Sequence, residues 1–339
     1  MIVSKLSTSN KFYFTESKIP SIKDDELLIK VLSCAICGSD LKISLSGNSR
    51  IKEDRTIGHE ISGEIVKIGK SISKFNVGDK VSIGADLPCH KCEKCKSGNV
   101  NLCNKNLALG YQFDGGFAQY MIANEYVLND GPIQKYSKIS SDLACLAEPL
   151  ACAINGVHKS LSCFTIGSPA SALIFGGGPM GIMLAEYLYF SGVSDIIISE
   201  QNEQRLDFIK SKTKFIPAKL PSKDRKFDLI FTACPSIEAQ KQSLNLINVA
   251  GVINFFGGLI KDSSKLNIDS NFLHYSEAVL LGTHGSNPSQ HREAIELLEK
   301  KKIDLNYLIT HKFNLINLEK AFHVARSGLG QKIIINPHD

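Results

Sequence analysis

One stretch of the chain, Ser171 to Glu200, constrains the fold more than any other. It reads SALIFGGGPMGIMLAEYLYFSGVSDIIISE: a short apolar strand at Ala172–Phe175, a run of glycines, a periodic apolar segment of helix length and a second apolar strand. Glycines spaced Gly-x-Gly-x-x-Gly between a strand and a helix are typical of a βαβ unit that binds a dinucleotide. The alternative interpretation is a glycine-rich turn that binds no ligand.

Each glycine of this motif has its own role in the predicted unit. Gly176 allows the tight turn, Gly178 lets the backbone approach a pyrophosphate, and Gly181 lets the helix pack closely on the strand. Glu200 follows 19 positions later, where a carboxylate can bind a ribose diol and repel a 2′-phosphate, so NAD is favoured over NADP. Arg205 either covers the adenine or lies in solvent. The predicted cofactor-binding residues are Gly176, Gly178, Pro179, Met180, Gly181, Glu200 and Arg205.

Strand-like and helix-like runs continue to alternate after this unit, which predicts a doubly wound parallel sheet. Before it, short strands separated by turn glycines predict a compact, irregular β-barrel. We therefore expect an α/β protein with a first domain over residues 1–150, a dinucleotide-binding domain over 151–287, and a segment over 288–339 that returns to the first domain.

The composition excludes several classes of protein. The chain is 43% hydrophobic and 22% charged with a net charge of +5, and its Lys and Arg residues are scattered, which argues against a nucleic-acid partner. No apolar stretch approaches the roughly 18 residues of a membrane span, and no signal-peptide pattern opens the chain. We therefore expect a cytoplasmic protein without a membrane partner. In a reducing compartment, clustered cysteines indicate metal binding rather than disulfides.

Four of the ten cysteines are crowded into PCHKCEKCKSGNVNLC. Four thiolates at this spacing can close around one tetrahedral ion, and Zn²⁺ is the usual occupant of an all-sulfur site. Such a site has no open position for substrate, so it predicts a structural zinc that stabilises a lobe over about residues 86–106. A zinc ribbon for nucleic acid and a vestigial site without metal are the alternatives. The predicted ligands are Cys89, Cys92, Cys95 and Cys103.

Ligands for a catalytic metal must then lie elsewhere, in CAICGSD, TIGHEISGEI and CLAEPLACAINGVH. Cys37, His59 with Glu60, and Glu148 offer one sulfur, one imidazole and carboxylates, which suits a zinc ion that keeps a position open for water or substrate. The motif CAIC also permits a thioredoxin-like redox site, although the sequence after it shows no helix signal that resembles a thioredoxin active-site turn.

The ordered set CGSD, GHEISGEIVKIG, FNVGDKV, the four-cysteine lobe, DGGFAQY, EPLAC, GGGPMG and GLGQKIIINP resembles the zinc-dependent medium-chain dehydrogenases, and within them the polyol and sorbitol dehydrogenase-like branch. The resemblance implies a GroES-like catalytic domain followed by a Rossmann domain, an active site in the cleft between them, and homodimers or homotetramers. It implies that Cys37 and His59 bind the catalytic zinc, that Glu60 does so in some states, and that Glu148 stands where many alcohol dehydrogenases have a cysteine.

The same resemblance assigns roles to five further residues. Asp40 would orient His59 through the ring nitrogen that faces away from the metal. Ser39 would begin a proton relay, and Lys42 stands where related proteins often have a histidine, so it either continues the relay or is an exposed lysine. Tyr111 and His284 lie in segments that line the substrate pocket, and each either contacts substrate or only packs.

These residues together predict that a secondary alcohol is oxidised to a ketone, with zinc as Lewis acid and NAD as hydride acceptor. The expected substrate is a small hydroxylated molecule: a polyol, a sugar derivative or a cyclitol. A threonine-type or simple alcohol dehydrogenase is the alternative within this class. Outside it stand a non-catalytic dinucleotide-binding sensor and a zinc-free quinone reductase.

Overall fold

A computed structural model describes residues 1–164, 167–222, 224–259 and 264–339. The chain forms two compact units, one made of Met1–Ala151 with Gly285–Asp339 and the other of Cys152–His284. We call the first the catalytic unit and the second the nucleotide unit.

The N-terminal part of the catalytic unit consists of short strands and short helices. The strands are β1 (Ile2–Leu6), β2 (Phe12–Glu16), β3 (Leu27–Ala35), β4 (Glu60–Ile68), β5 (Lys80–Ile83), β6 (Asp86–Leu87), β7 (Leu107–Ala108), β8 (Tyr120–Ala123) and β9 (Ile133–Lys135). The helices are α1 (Gly38–Ser46), α2 (Glu93–Lys96), α3 (Glu125–Leu128), α4 (Ser141–Ala144) and α5 (Ala147–Leu161). The chain leaves the catalytic unit within α5.

The nucleotide unit contains a parallel sheet. Its strands are β10 (Ser171–Phe175), β11 (Asp195–Ser199), β12 (Ile216–Ala218), β13 (Phe227–Thr232), β14 (Ile247–Phe255) and β15 (Val279–Gly282). Its helices are α6 (Pro179–Phe190), α7 (Glu203–Lys212), α8 (Ile237–Leu246) and α9 (Ser270–Ser276). Within the described ranges the strand order is β12-β11-β10-β13-β14-β15 with every pair parallel, which confirms the predicted sheet. The order reverses beside β10, where ligands bind open α/β sheets.

The last 55 residues return to the catalytic unit and complete its sheet. They form α10 (Pro288–Glu299), β16 (Ile309–Asn314), α11 (Leu318–Ser327) and β17 (Lys332–Asn336). Strand β17 pairs parallel with β16 and antiparallel with β3, giving the order β16-β17-β3-β4-β5-β9, with β8 paired to the other half of β3. Strand β3 is the centre of this sheet because three neighbours pair with it, and its side chains are almost all buried in one apolar core.

Candidate active site and metal centres

The register of two antiparallel strands brings the first two predicted ligands together. Ala35, the last residue of β3, pairs with Glu60, the first residue of β4. The residues just beyond these ends, Cys37 and His59, are therefore neighbours although 22 positions separate them. Cys37 is also the N-cap of α1, so its backbone is fixed by the start of a helix.

Asp40 lies close to both of these residues, in a fully buried position in the first turn of α1. Its Oδ2 accepts a hydrogen bond of 2.9 Å from the Cys37 amide, and its Oδ1 lies 3.4 Å from Nδ1 of His59. The Asp40 carboxylate favours the imidazole tautomer with the proton on Nδ1. In that tautomer Nε2 carries no proton, so its lone pair can bind a metal ion. Ser39 Oγ lies 3.3 Å from that Nε2 atom.

The electrostatics of this region favour a cation. Burial lowers the pKa of His59, but neighbouring Asp40 and Cys37 outweigh burial and hold this pKa well above its usual value. Glu148, buried in the first turn of α5, has its pKa raised to about 8, mainly by burial and further by Glu60. Buried carboxylates beside an imidazole and a thiol form a mixed oxygen, nitrogen and sulfur donor set, which fits zinc.

Glu60 is placed differently from the other candidates. Both of its carboxylate oxygens bind the ammonium group of Lys332, the first residue of β17, and both side chains are almost completely buried. The structure therefore shows Glu60 engaged by a lysine. Sequence analysis did not single out Lys332, whose one signal is a lone lysine at the start of the apolar strand KIIIN.

The four clustered cysteines have the dimensions of a tetrahedral zinc site. Their sulfur atoms all lie within 4.8 Å of one another, with Cys89 and Cys95 separated by 3.9 Å and Cys92 and Cys103 by 4.0 Å. A tetrahedron with Zn–S distances of about 2.3 Å has edges of about 3.8 Å, whereas a disulfide would hold sulfurs about 2.05 Å apart. Backbone amides lower the pKa of Cys92 to about 6, whereas burial raises the pKa of Cys95 to about 12.

Among the described residues, these four cysteines are the one group of three or more His, Cys, Asp or Glu side chains whose ligand atoms come close enough together to hold a metal ion. Cys37, His59, Glu60 and Glu148 do not form such a convergent group in the described part of the chain.

The glycine turn of the nucleotide unit leaves space that the protein itself does not use. Gly176 has φ +105°, a conformation that glycine adopts freely, and a Cβ at Gly181 would lie 1.9 Å from the Gly176 carbonyl oxygen. A Cβ at Gly178 would meet only Arg205, at 3.6 Å. The backbone conformation of Gly176 and the packing of Gly181 require glycine, whereas the surrounding protein leaves room for a side chain at Gly178. Helix α6 begins directly after it at Pro179, so its N-terminal amides face that space.

Glu200 lies at the edge of the same space. Its carboxylate accepts hydrogen bonds from the amides of Gly177 (2.9 Å), Gln201 (2.7 Å) and Asn202 (2.9 Å), which fixes its position. Arg205 Nη1 lies 3.7 Å from it. A cavity of about 490 Å³ is lined by these and neighbouring residues, among them Gly176, Gly178, Ser199, Glu200, Arg205 and Cys234. This arrangement fits the adenosine half of a dinucleotide.

The remaining predicted residues occupy different surroundings. The Tyr111 ring is buried, with its centroid 6.1 Å from that of His59. Lys42 is exposed on α1. His284 is exposed in the nucleotide unit, where its carbonyl oxygen accepts a hydrogen bond of 3.3 Å from Asn155.

Comparison with known proteins matches both parts of the chain. Residues 23–132 match the family described as alcohol dehydrogenase GroES-like domain, and residues 141–330 match the family described as glucose dehydrogenase C-terminus. The second match alone covers more than half of the chain. The chain belongs to the zinc-dependent medium-chain dehydrogenases.

Individual relatives of this dehydrogenase extend over its whole length. A sorbitol dehydrogenase from Halalkalibacterium halodurans is 28% identical over 97% of the chain and 96% of the relative. An L-threonine 3-dehydrogenase from Escherichia coli is 28% identical over 98% of both proteins. A solved structure from Sinorhizobium meliloti, named as a zinc-binding dehydrogenase bound to NADP, has a TM-score of 0.90 at 23% identity and covers 99% of both chains.

These findings confirm the predicted family, its GroES-like and Rossmann folds, and its assignment as a zinc-dependent oxidoreductase of the alcohol and polyol dehydrogenase class. They also confirm a nucleotide cofactor and small hydroxylated substrates, without deciding between NAD and NADP. None of the helices in the described ranges combines the length and apolar character that a bilayer span requires.

Proposed function

We propose that this dehydrogenase oxidises a secondary alcohol of a polyol, sugar derivative or cyclitol to the ketone, with NAD as hydride acceptor. The observation that carries the proposal is the junction of β3 and β4, where Cys37 and His59 meet and Asp40 orients both. A thiol, an imidazole and the nearby Glu148 carboxyl make a donor set for one zinc ion with an open position.

In this proposal Cys37, His59 and Glu148 hold the catalytic zinc, which supplies Lewis-acid polarisation of the substrate hydroxyl when bound. Asp40 keeps the proton of His59 on Nδ1, so Nε2 stays available to the metal. Ser39 Oγ lies 3.3 Å from that nitrogen; it accepts the proton that the substrate hydroxyl loses and releases its own hydroxyl proton in return. Lys42 is exposed on the same helix and passes the proton to solvent.

The nucleotide unit supports binding of NAD. Gly178 and the first turn of α6 receive the pyrophosphate, and Glu200 accepts hydrogen bonds from the adenosine ribose hydroxyls. A 2′-phosphate at that ribose would lie against the Glu200 carboxylate, which favours NAD over NADP. Arg205, beside Glu200, covers the adenine, and Pro179 with Met180 begins the helix.

Substrate contacts and assembly complete the proposal. Tyr111, beside His59, and His284 would hydrogen-bond the hydroxylated substrate. From the family resemblance we further propose a cytoplasmic homodimer or homotetramer, which analytical ultracentrifugation would test.

Zinc analysis and NADH formation test the catalytic part. Two zinc ions per chain are expected, and Cys37→Ser should lose one of them together with NADH formation from a panel of polyols, cyclitols, threonine and simple alcohols. Cys163→Ser is the matched control, because that half-buried thiol of the nucleotide unit donates, among the described residues, only to the Lys159 carbonyl. Full zinc content and activity in Cys37→Ser would contradict the proposal.

Two glycine variants test the cofactor site. Gly178→Ala leaves ordinary packing in the chain but places a methyl group where the pyrophosphate would lie, so NAD binding by calorimetry should be lost while thermal stability is kept. Gly181→Ala should instead destabilise the nucleotide unit, because its Cβ would overlap the Gly176 carbonyl. Unchanged NAD affinity in Gly178→Ala would contradict this placement. Calorimetry with NADP tests the preference directly.

Oxidation of a threonine-type amino alcohol is the second candidate. It is favoured by the relative named L-threonine 3-dehydrogenase, which matches as much of the chain as the sorbitol dehydrogenase does. The two candidates separate in the same assay, since only one class of alcohol should support NADH formation at low millimolar concentration.

A further inference from the structure

Arg50, a residue of the loop after α1, packs against the catalytic unit in a defined position. Its guanidinium carbon lies 3.8 Å from the centroid of the Tyr111 ring, within the range of a cation–π contact. Its Nη1 donates a hydrogen bond of 3.0 Å to the Asn106 carbonyl oxygen. The side chain is half-buried, so these two contacts limit its freedom to move.

The same tyrosine connects Arg50 with the proposed zinc site. The Tyr111 ring contacts the guanidinium and also lies beside the His59 ring, so Arg50 stands one aromatic ring away from a proposed ligand. The Tyr111 hydroxyl forms no hydrogen bond with the described residues, and although the ring is buried, the hydroxyl oxygen retains some solvent-accessible surface. Two polar groups, a guanidinium and a phenol, are therefore presented together beside the place where the substrate hydroxyl would bind.

Arg50 has no acidic partner in the part of the chain that the structure describes. No acidic side chain of the described ranges forms an ion pair with it, whereas nearby Arg55 binds both Glu53 and Asp114. A guanidinium remains charged at all ordinary pH values. The hydrogen bond to the Asn106 carbonyl uses Nη1. The Nε and Nη2 groups form the side of the planar guanidinium that can donate two parallel hydrogen bonds to a carboxylate or a phosphate.

We propose that Arg50 and Tyr111 form a subsite for an acidic group, a carboxylate or a phosphate, on the hydroxylated substrate. The guanidinium binds the acidic oxygens and the Tyr111 hydroxyl donates to one of them, while the alcohol carbon lies at the zinc site. This inference rests on the proposed function and narrows it from polyols in general to acidic ones, such as sugar phosphates, sugar acids or amino acids.

A purely structural role for the same contacts makes a different prediction. In that case Arg50 would only attach the loop after α1 to the segment around Asn106. Its replacement would then lower thermal stability and weaken neutral and acidic ligands to the same extent. Selectivity between ligands that share one carbon chain separates the two roles.

Sorbitol, sorbitol 6-phosphate and gluconate make a suitable set, because they share a six-carbon chain and differ in their acidic group. Their dissociation constants would be measured by calorimetry with the zinc-loaded, NADH-bound protein, alongside KM and kcat where turnover occurs. The wild type should bind at least one acid tenfold or more tightly than sorbitol. Arg50→Gln should weaken that acid by about ten- to a hundred-fold, as expected for a lost charged hydrogen bond, and leave sorbitol unchanged.

Arg326→Gln is the matched control. Arg326 also lies over an aromatic ring, that of Phe322 at 5.9 Å, and donates one hydrogen bond, to Ser44 Oγ at 2.8 Å. Arg326→Gln removes the same charge from the same unit, so it should leave the affinities for all three ligands unchanged. Arg50→Lys keeps a positive charge, so it should retain part of the preference for the acid.

The two acidic ligands identify the acidic group. Tighter binding of sorbitol 6-phosphate indicates a phosphate site, and tighter binding of gluconate indicates a carboxylate site. Equal affinity of the wild type for sorbitol and both acids would overturn the inference, as would an equal loss for all ligands in Arg50→Gln. Failure of the proposed function gives a different result. No alcohol would then yield NADH, while calorimetry would still report whether Arg50 selects acids.

Discussion

Replacement of Lys332 by methionine should destabilise the catalytic unit strongly. The Lys332 and Glu60 side chains are 3% and 0% exposed, and the ammonium group binds both carboxylate oxygens. Methionine keeps much of the apolar stem but removes the charge, which leaves the Glu60 carboxylate buried without its partner. Breaking a buried ion pair in this way costs about 3–5 kcal/mol, a large share of the stability of an ordinary domain.

A double-mutant cycle separates the ion pair from loss of packing. Glu60→Gln alone should also destabilise the unit, because it leaves a buried ammonium group facing a neutral amide. The double variant K332M/E60Q contains neither buried charge, so it should be more stable than K332M alone despite carrying one more substitution. A coupling free energy of about 2 kcal/mol or more is expected for groups in direct contact.

The measurement must report on the catalytic unit by itself. The chain contains no tryptophan, so hydrogen exchange of peptides from β3, β4 and β17 is more suitable than fluorescence. Exchange would be followed in zinc-loaded and chelator-treated protein, so that lost metal binding is not mistaken for the lost ion pair. If K332M lowered the opening free energy by less than about 1 kcal/mol, or if the double variant were less stable than K332M, the ion pair would not have the role assigned to it.

Three further variants have defined outcomes. Burial lowers the pKa of His291 to about 4, so the ring stays neutral in the folded state at a pH where it is protonated in the unfolded state. The free energy of unfolding is therefore unaffected above pH 6.5 and falls by up to about 3 kcal/mol as the pH decreases to 4. His291→Gln should flatten this dependence in urea unfolding at pH 4 to 7, and an unchanged pH profile would argue against it. Asp40→Asn should weaken zinc binding at the His59 site by about ten- to a hundred-fold in chelator competition, and equal affinity would show that the 3.4 Å contact does not orient the ring. Cys89→Ser should remove one zinc ion per chain and increase hydrogen exchange over residues 86–106 without abolishing NAD binding; retention of both zinc ions would refute the four-sulfur site.

Features that depend on neighbouring residues could be predicted from the sequence. The β10–α6–β11 unit has its strand, glycine turn and helix in one continuous stretch, and the local backbone requires glycine at Gly176 and Gly181. The four cysteines fall within 15 residues, so their spacing alone predicted a shared ion. In both cases the chain segment that carries the pattern is also the segment that forms the site.

Features that depend on distant strand pairing could not be predicted in this way. Glu60 and Lys332 are separated by 272 positions, and Arg50 and Tyr111 by 61, so no periodicity or spacing connects them. Glu60 and Tyr111 were predicted as site residues, but the sequence singled out neither Lys332 nor Arg50 as their partners. The expectation that Glu60 reaches the zinc in some states was also made without knowledge of its lysine partner, and it stays a prediction.

Strand β3 explains why residues so far apart in sequence meet at one place. On one side Ala35 pairs with Glu60 of β4, and on the other it pairs with Ile334 of β17. Residues directly opposite each other share a face, and Lys332 lies two positions before Ile334, so it lies on that face as well. The chain that continues from β3 supplies Cys37 just beyond the same edge. Because side chains alternate with a period of two, a one-residue slip of either neighbour would move Glu60 or Lys332 to the opposite face. The register of β3 with β4 and β17 therefore determines the buried ion pair, and its register with β4 also determines the position of Cys37 and His59, two of the proposed zinc ligands.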